Sequence, residues 1–211
     1  MYAEGSFDSE REFLGDFYGE ILHQDTCDEF THEGVPLLAA FAIDDRVPSL
    51  ERMSMVSLLF AIATVADRHE ADCRPRARSH AAPAAEARAR ASVQEVVPRL
   101  LERWDAECVG VRMALTAIAA AFPTTAAARA LLPRLRASAA RYPGWTLPGD
   151  FVRLAGVMTV GRREHVLAAV EALTRDYWNP TARAAPVTGR SLHLLDQMLS
   201  RIRADARAGR L

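Results

Sequence analysis

From Val93 to Trp104 the apolar residues Val93, Val96, Val97, Leu100, Leu101 and Trp104 fall at i, i+3, i+4, i+7, i+8 and i+11. That spacing gathers side chains on one face of an α-helix and is incompatible with a strand, whose side chains alternate. No competing period-2 run appears, so the chain has nothing from which to build a sheet. Related patterns place helices over 9–23 (Phe13, Phe17 and Ile21 beside Leu14, Tyr18 and Leu22, started by the capping box Ser9-x-x-Glu12), over the stretch carrying Phe30, Gly34, Leu37, Leu38 and Phe41, and over 48–66. Further helices follow at 109–122, 126–141, 148–160, 163–177 and 189–206. Pro123, Tyr142-Pro143-Gly144, Gly161 and Asn179-Pro180 punctuate them, each a residue type that ends helices or makes turns. The segment 48–66 is apolar on nearly every side, which suits a helix in the middle of a stack.

Composition sets the frame around this pattern. The chain has 211 residues, 50% hydrophobic and 25% charged, enough for one core of fair size, and a single domain over 1–211 is expected. Its longest apolar stretch, 53–66, is interrupted by Ser54, Ser57 and Thr64, so no membrane span is expected. The acidic start lacks the basic and apolar regions of a signal peptide, which predicts a cytoplasmic location. Cys27, Cys73 and Cys108 are widely spaced and are read as unpaired thiols. All 26 basic residues are Arg, a usage that fits a GC-rich coding bias. Residues 1–72 hold 16 acidic residues against 4 Arg, a balance of −12, and 73–211 hold 11 against 22, a balance of +11. Such polarity suits an anion-binding surface on the basic part, head-to-tail self-association, or two solvated faces.

The helices also repeat as pairs. Val35-Pro-Leu-Leu38, Val97-Pro-Arg-Leu100 and Leu132-Pro-Arg-Leu135 place a proline, which removes a backbone donor and kinks a helix, in the first member of successive pairs. An arginine stands near the start of each second member: Arg52, Arg112, Arg153 and Arg190. Asp45 precedes Arg52 by seven residues, and Asp105 precedes Arg112 by the same interval. Self-similarity at this scale is the mark of a repeat architecture.

A kinking proline in helix A, an aspartate in the turn and an arginine in helix B is the pattern of HEAT repeats, and residues 24–205 resemble that family. The resemblance implies an all-α α-α superhelix, a HEAT-like solenoid of about four helix pairs plus an N-terminal helix. It also implies a ladder between neighbouring repeats through Asp45, Arg52, Asp105 and Arg112. The third pair departs from the pattern, with Tyr142 and Pro143 where an aspartate belongs, and the fourth lacks the proline. The run from Asp16 to Thr26, followed by Gly34-Val-Pro-Leu-Leu38, is similar to the opening of a group of actinobacterial HEAT-repeat proteins, which implies no particular activity. His23 and Gln24 fall at the end of the first helix, and Asp25 or Thr26 is placed to cap the second.

Segment 69–86 lacks periodicity and is expected to be a mobile loop. Its His69, Asp72, Cys73 and His80 match no standard zinc spacing, and its Arg74, Arg76 and Arg78 read as solvated charge. Phosphate loops, nucleophile elbows and HExxH helices are missing, and His32, His165 and His193 stand singly on predicted helices. No catalytic set, cofactor or metal is therefore assigned. Solenoids bind partners along their concave face, so the leading expectation is a non-catalytic binding scaffold for a macromolecule, a protein or a second copy of itself first. A second class is nucleic-acid binding in the manner of HEAT-like alkylpurine DNA glycosylases, with Arg112, Arg153, Trp145 and Trp178 as binding residues and Asp150 in the acidic role. A third is a small-molecule binder or enzyme of specialised metabolism with a pocket between helices. Trp145 and Trp178 read otherwise as wedges between repeats.

Overall fold

A helix buried on almost all sides needs partners on all sides, and the architecture follows from supplying them. The computed structural model describes residues 22, 26–72, 82–144, 146–176 and 183–211. Nine α-helices are present among them: α1 (Thr31–Ile43), α2 (Ser49–Ala71), α3 (Pro83–Leu101), α4 (Val109–Ala121), α5 (Ala126–Ala130), α6 (Leu132–Arg141), α7 (Leu147–Val160), α8 (Arg163–Asp176) and α9 (Val187–Arg207). A 3-10 turn, Trp104–Ala106, links α3 to α4. The chain is all-helical, with no strand among the described residues.

The apolar helix expected at 48–66 is α2, and it is the core of the molecule. Met53, Val56, Leu59, Phe60 and Ile62 are fully enclosed, and α1, α3, α4 and α9 all pack on it. By length and composition α2 would also cross a membrane, but 72% of its most apolar window is buried inside the fold, as in a core helix. Neighbouring elements pack as pairs along the chain: α1 on α2 and α3, α2 on α4, α4 on α7, α6 on α7. The most extensive contact, however, joins α9 to α2, across more than half the sequence. In a purely nearest-neighbour stack the ends do not meet; here the last helix folds back on the first pair.

Two features make that closure possible. Gly189, in the first turn of α9, comes so close to α2 that a Cβ there would lie 2.5 Å from the Asp67 carbonyl oxygen. Arg68 of α2 donates from Nη1 to Asp196 Oδ2 of α9 at 3.2 Å, inside the same contact.

Several local expectations are revised. The face of α1 that enters the core carries Val35, Leu38, Ala39 and Ala42, while Phe30, Leu37 and Phe41 are 62%, 49% and 37% exposed. Only Leu38 of the predicted stripe is buried, because α2 and α3 approach from the side bearing Val35 and Ala42. The N-cap position of α1 is Phe30, not Thr26, and just before it Asp28 Oδ1 accepts from the Phe30 and Thr31 amides at 2.9 and 2.7 Å. The helix expected over 126–141 is broken at Leu131, since Pro133 has no N–H to continue the first segment and instead sits in the first turn of α6. Pro36 and Pro98 lie inside α1 and α3 as expected. The expected loop at 69–86 is narrower, because α2 runs through His69 to Ala71 and α3 starts at Pro83. The helix at 9–23, His23, Gln24, Asp25, Cys73, Arg74, Arg76, Arg78, His80, Trp145 and Trp178 lie outside the described residues.

Candidate anion-binding site beside α6

The repeated arginines are best compared by position. Arg52, Arg112 and Arg190 are each the fourth residue of their helix, α2, α4 and α9. At that position the backbone N–H is already bonded to the residue before the helix, Pro48, Cys108 and Pro186 respectively. The side chain is left to look for its own partner.

Arg52 finds two. Its Nη1 donates to Asp45 Oδ1 at 2.8 Å, and its Nη2 lies 2.9 Å from Oε2 of Glu107, close enough for an ion pair though outside hydrogen-bond alignment. Glu107 is completely enclosed and also accepts from Arg103 Nε at 3.2 Å. Arg103 closes the ring by donating to Asp45. The hydrogen bonds from Arg103 and then Arg52 hold the Asp45 carboxyl below the usual aspartate range. Two cations and two carboxylates thus tie the turn before α2 to the turn before α4. Asp45 and Arg52 are in contact, and the sequence signal for the partnership of Glu107 with Arg103 is no more than an acidic residue in a turn at 107. Arg190 also has a carboxylate, Glu171 Oε1 of α8, at 2.5 Å.

Arg112 has none. Asp105, the partner expected from spacing, instead takes a two-point clasp from Arg134 of α6, with Nε to Oδ1 at 3.0 Å and Nη2 to Oδ2 at 2.6 Å. The turn after the next helix, where Glu107 stands relative to Arg52, offers Tyr142 and Pro143, which carry no carboxylate. Arg112 Nε is buried without a hydrogen-bond partner, and no carboxylate or carbonyl among the described residues accepts from the rest of its guanidinium. Buried polar atoms in folded proteins are nearly always satisfied; Arg52 Nε is buried and unpartnered too, but its terminal nitrogens meet Asp45 and Glu107, whereas those of Arg112 meet no acceptor among the described residues.

The unpartnered guanidinium opens on a pocket between α4, α6 and α7, with about 60 Å³ of room. Buried Trp104, Met113 and Val152 form its apolar wall, and Arg141 and Tyr142 close its other side. Arg141 likewise has no ion-pair partner among the described residues. No Asp or Glu lines the pocket. On the opposite flank of α6, sharing Val152, a second open depression of about 240 Å³ is bordered by Arg136, Arg153 and His165, again without a carboxylate on its wall.

The other expected site residues fall as follows. Arg153 borders this second depression but is engaged by Asp150 at 2.9 Å, three residues earlier on α7, so it is partly neutralised. Asp150 is thereby occupied with that pair. His69 is buried in the last turn of α2, and among the described residues no group of three or more His, Cys, Asp or Glu gathers to hold a metal. A third depression, about 250 Å³, lies between α2 and α9 and is edged by the Arg68 and Asp196 pair. Ligand pockets for drug-sized molecules run to roughly 300–1,000 Å³, so each of these sites suits a group or a side chain better than a whole cofactor. No protein-family model matches the chain, and no curated protein or solved structure resembles it significantly.

Proposed function

We propose that the chain is a non-catalytic, HEAT-like binding module: a short array of helix pairs, closed by its last helix, that recognises an acidic segment of a protein partner along the face flanking α6. The HEAT-like part of this reading draws support from the Asp45, Arg52, Glu107 and Arg103 link between successive turns and from a proline inside each of α1 and α3, Pro36 and Pro98. The observation that carries the binding role is the run of arginines on α4, α6 and α7, Arg112, Arg141 and Arg136 among them, bordering two depressions whose walls hold no carboxylate.

Nucleic acid is the less favoured partner for an electrostatic reason. Duplex binding rests on many phosphate contacts along a broad basic surface. Four exposed arginines are already clasped within the chain: Arg46 by Asp44, Arg134 by Asp105, Arg153 by Asp150 and Arg210 by Asp205. Arg112 and Arg141 beside the first pocket sit in an apolar frame, which fits one or two acidic side chains better than a run of phosphates.

The test is fluorescence anisotropy of two labelled probes, a peptide alternating Glu with Leu or Phe and a short DNA duplex, against the wild type and against Arg112→Ala with Arg136→Ala. Peptide binding that falls at least tenfold in the double variant, with a shallow salt dependence matching about two ionic contacts, is the expected result. Steep salt-dependent binding of the duplex with none of the peptide overturns the assignment in favour of nucleic acid, and a mass that rises with concentration and drops in the double variant identifies a second copy as the partner.

A further inference from the structure

We infer that the Arg112 pocket is a subsite for a single carboxylate carried next to an apolar group, the incoming anion taking the place that Glu107 takes on Arg52. The inference rests on the binding role proposed above and specifies the chemistry of one of its contacts.

Arg52, Arg112 and Arg190 occupy the same position of three helices, and the first and last are each neutralised by a carboxylate from a neighbouring element, Glu107 and Glu171. For Arg112 both sources have been removed. Asp105 is held by two hydrogen bonds from Arg134, and the following turn supplies Tyr142 and Pro143 in place of an acid. A guanidinium whose Nε is shut off from water and lacks a partner is a strong donor with nothing to donate to.

The surroundings select the ligand. The room beside Arg112 is about 60 Å³, several times the roughly 10–15 Å³ that one water needs, which admits a carboxylate but no large head group. Arg112 and Arg141 border it together, giving two cations for one anion. Trp104, Met113 and Val152 make the wall apolar, and Val109 at the mouth is 40% exposed, so an apolar group attached to the carboxylate has a surface to lie on. A highly hydrated dianion gains less from such a wall than a hydrophobic carboxylate does.

Nuclear magnetic resonance of the 15N-labelled full chain reads this directly through the arginine Nε–Hε signals. Burial protects the Arg112 signal from exchange, and that of Arg52, whose Nε is equally buried and unpartnered, serves as the internal control because its terminal nitrogens are already occupied. The probes are acetate, phenylacetate and inorganic phosphate at constant ionic strength. Phenylacetate is expected to move the Arg112 signal saturably, at a concentration about tenfold below acetate, while the Arg52 signal stays fixed; millimolar affinity is the scale for so small a ligand. Arg112→Met identifies the signal by its loss. Arg141→Met, at an exposed position that leaves the core intact, is expected to weaken phenylacetate five- to tenfold.

An Arg112 signal unmoved by all three anions overturns the inference, as does one that drifts together with Arg52 without saturating. Phosphate binding tighter than phenylacetate overturns the carboxylate assignment in favour of a phosphoryl group. Acidic-peptide binding with a stationary Arg112 signal sinks the subsite and leaves the module's proposed role standing; saturation by phenylacetate without any peptide binding does the reverse.

Discussion

Replacing Arg52 by methionine tests how the turn before α2 is held to the turn before α4. In the native protein Glu107 is fully enclosed and faces two cations, Arg52 Nη2 at 2.9 Å and Arg103 Nε at 3.2 Å. The side chain of Arg52 is itself only 11% exposed. Methionine keeps the apolar stem that packs in this position and removes only the charge. Removing one partner of a buried pair costs roughly 3–5 kcal/mol, because the survivor is left charged and desolvated. Arg103 still serves Glu107, which places the expected loss at the lower end, about 3 kcal/mol. At roughly 2–4 °C per kcal/mol for a chain of this size, that is a fall in Tm of about 6–12 °C. Urea unfolding followed by far-UV circular dichroism measures it, and the companion variant Arg52→Met with Glu107→Leu supplies the decisive comparison. Exchanging both members of a buried pair for apolar groups is often close to neutral, so the double variant should lie within about 1 kcal/mol of wild type. A single-variant loss below about 1 kcal/mol would put the pair in the class of exposed ion pairs and refute the claim that it ties α2 to the turn before α4. A double variant no more stable than the single one would refute it equally.

Gly189→Ala should destabilise by about 1–3 kcal/mol despite alanine's better helix propensity, since its Cβ would meet the Asp67 carbonyl oxygen at 2.5 Å and backbone cannot step aside; Gly110→Ala, whose tightest Cβ contact is the Met53 Sδ at 2.9 Å, the far end of an unbranched side chain that can adjust by rotation, should cost less in the same thermal melt. Asp67→Asn should raise the Tm at neutral pH. Burial lifts the Asp67 carboxyl above its ordinary value of 3.8, and the attraction of Arg90 only partly offsets this. A carboxyl raised on folding favours the folded state at low pH and loses that contribution as pH rises through its folded value, so the advantage of asparagine should shrink as the pH falls; an advantage that grows instead contradicts the assignment. Arg90→Lys should cost about 1–2 kcal/mol in urea unfolding, because Arg90 donates to the Ala121 carbonyl at 3.1 Å while its guanidinium lies 4.9 Å from the Phe122 ring centre, a combination that a point-charged ammonium does not reproduce.

Helix content was legible in the sequence because it rests on local spacing. The i, i+3, i+4 series of α3, the all-round apolar character of α2 and the breaks at Pro123, Pro143 and Gly161 are each readable from a dozen residues, and each matches an element or a boundary. The spacing of Asp45 and Arg52 likewise led to a real contact, since a turn and the helix it starts are close in space and no distant residue displaces Arg52 from Asp45. Local reading failed where a distant element chose the outcome. The stripe of α1 holds two apolar faces, and only the arrival of α2 and α3 decides that Val35 and Ala42 are buried while Phe30 and Leu37 are exposed.

The same limit governs the candidate site. Seven residues separate Asp105 from Arg112 as they separate Asp45 from Arg52, so the two pairs look equivalent in one dimension. In three dimensions Arg134, twenty-nine residues from Asp105, captures it with two hydrogen bonds, and Arg112 is left facing a pocket. The closure of α9 on α2 is of the same kind, for it depends on Gly189 meeting a carbonyl more than a hundred residues away. The sequence by itself determined which segments are helical and where most of them break, because those energies are set by neighbours along the chain. Only the tertiary structure decided which face of each helix is core, which carboxylate each arginine holds and which arginine goes without, because those depend on distances the linear order does not encode.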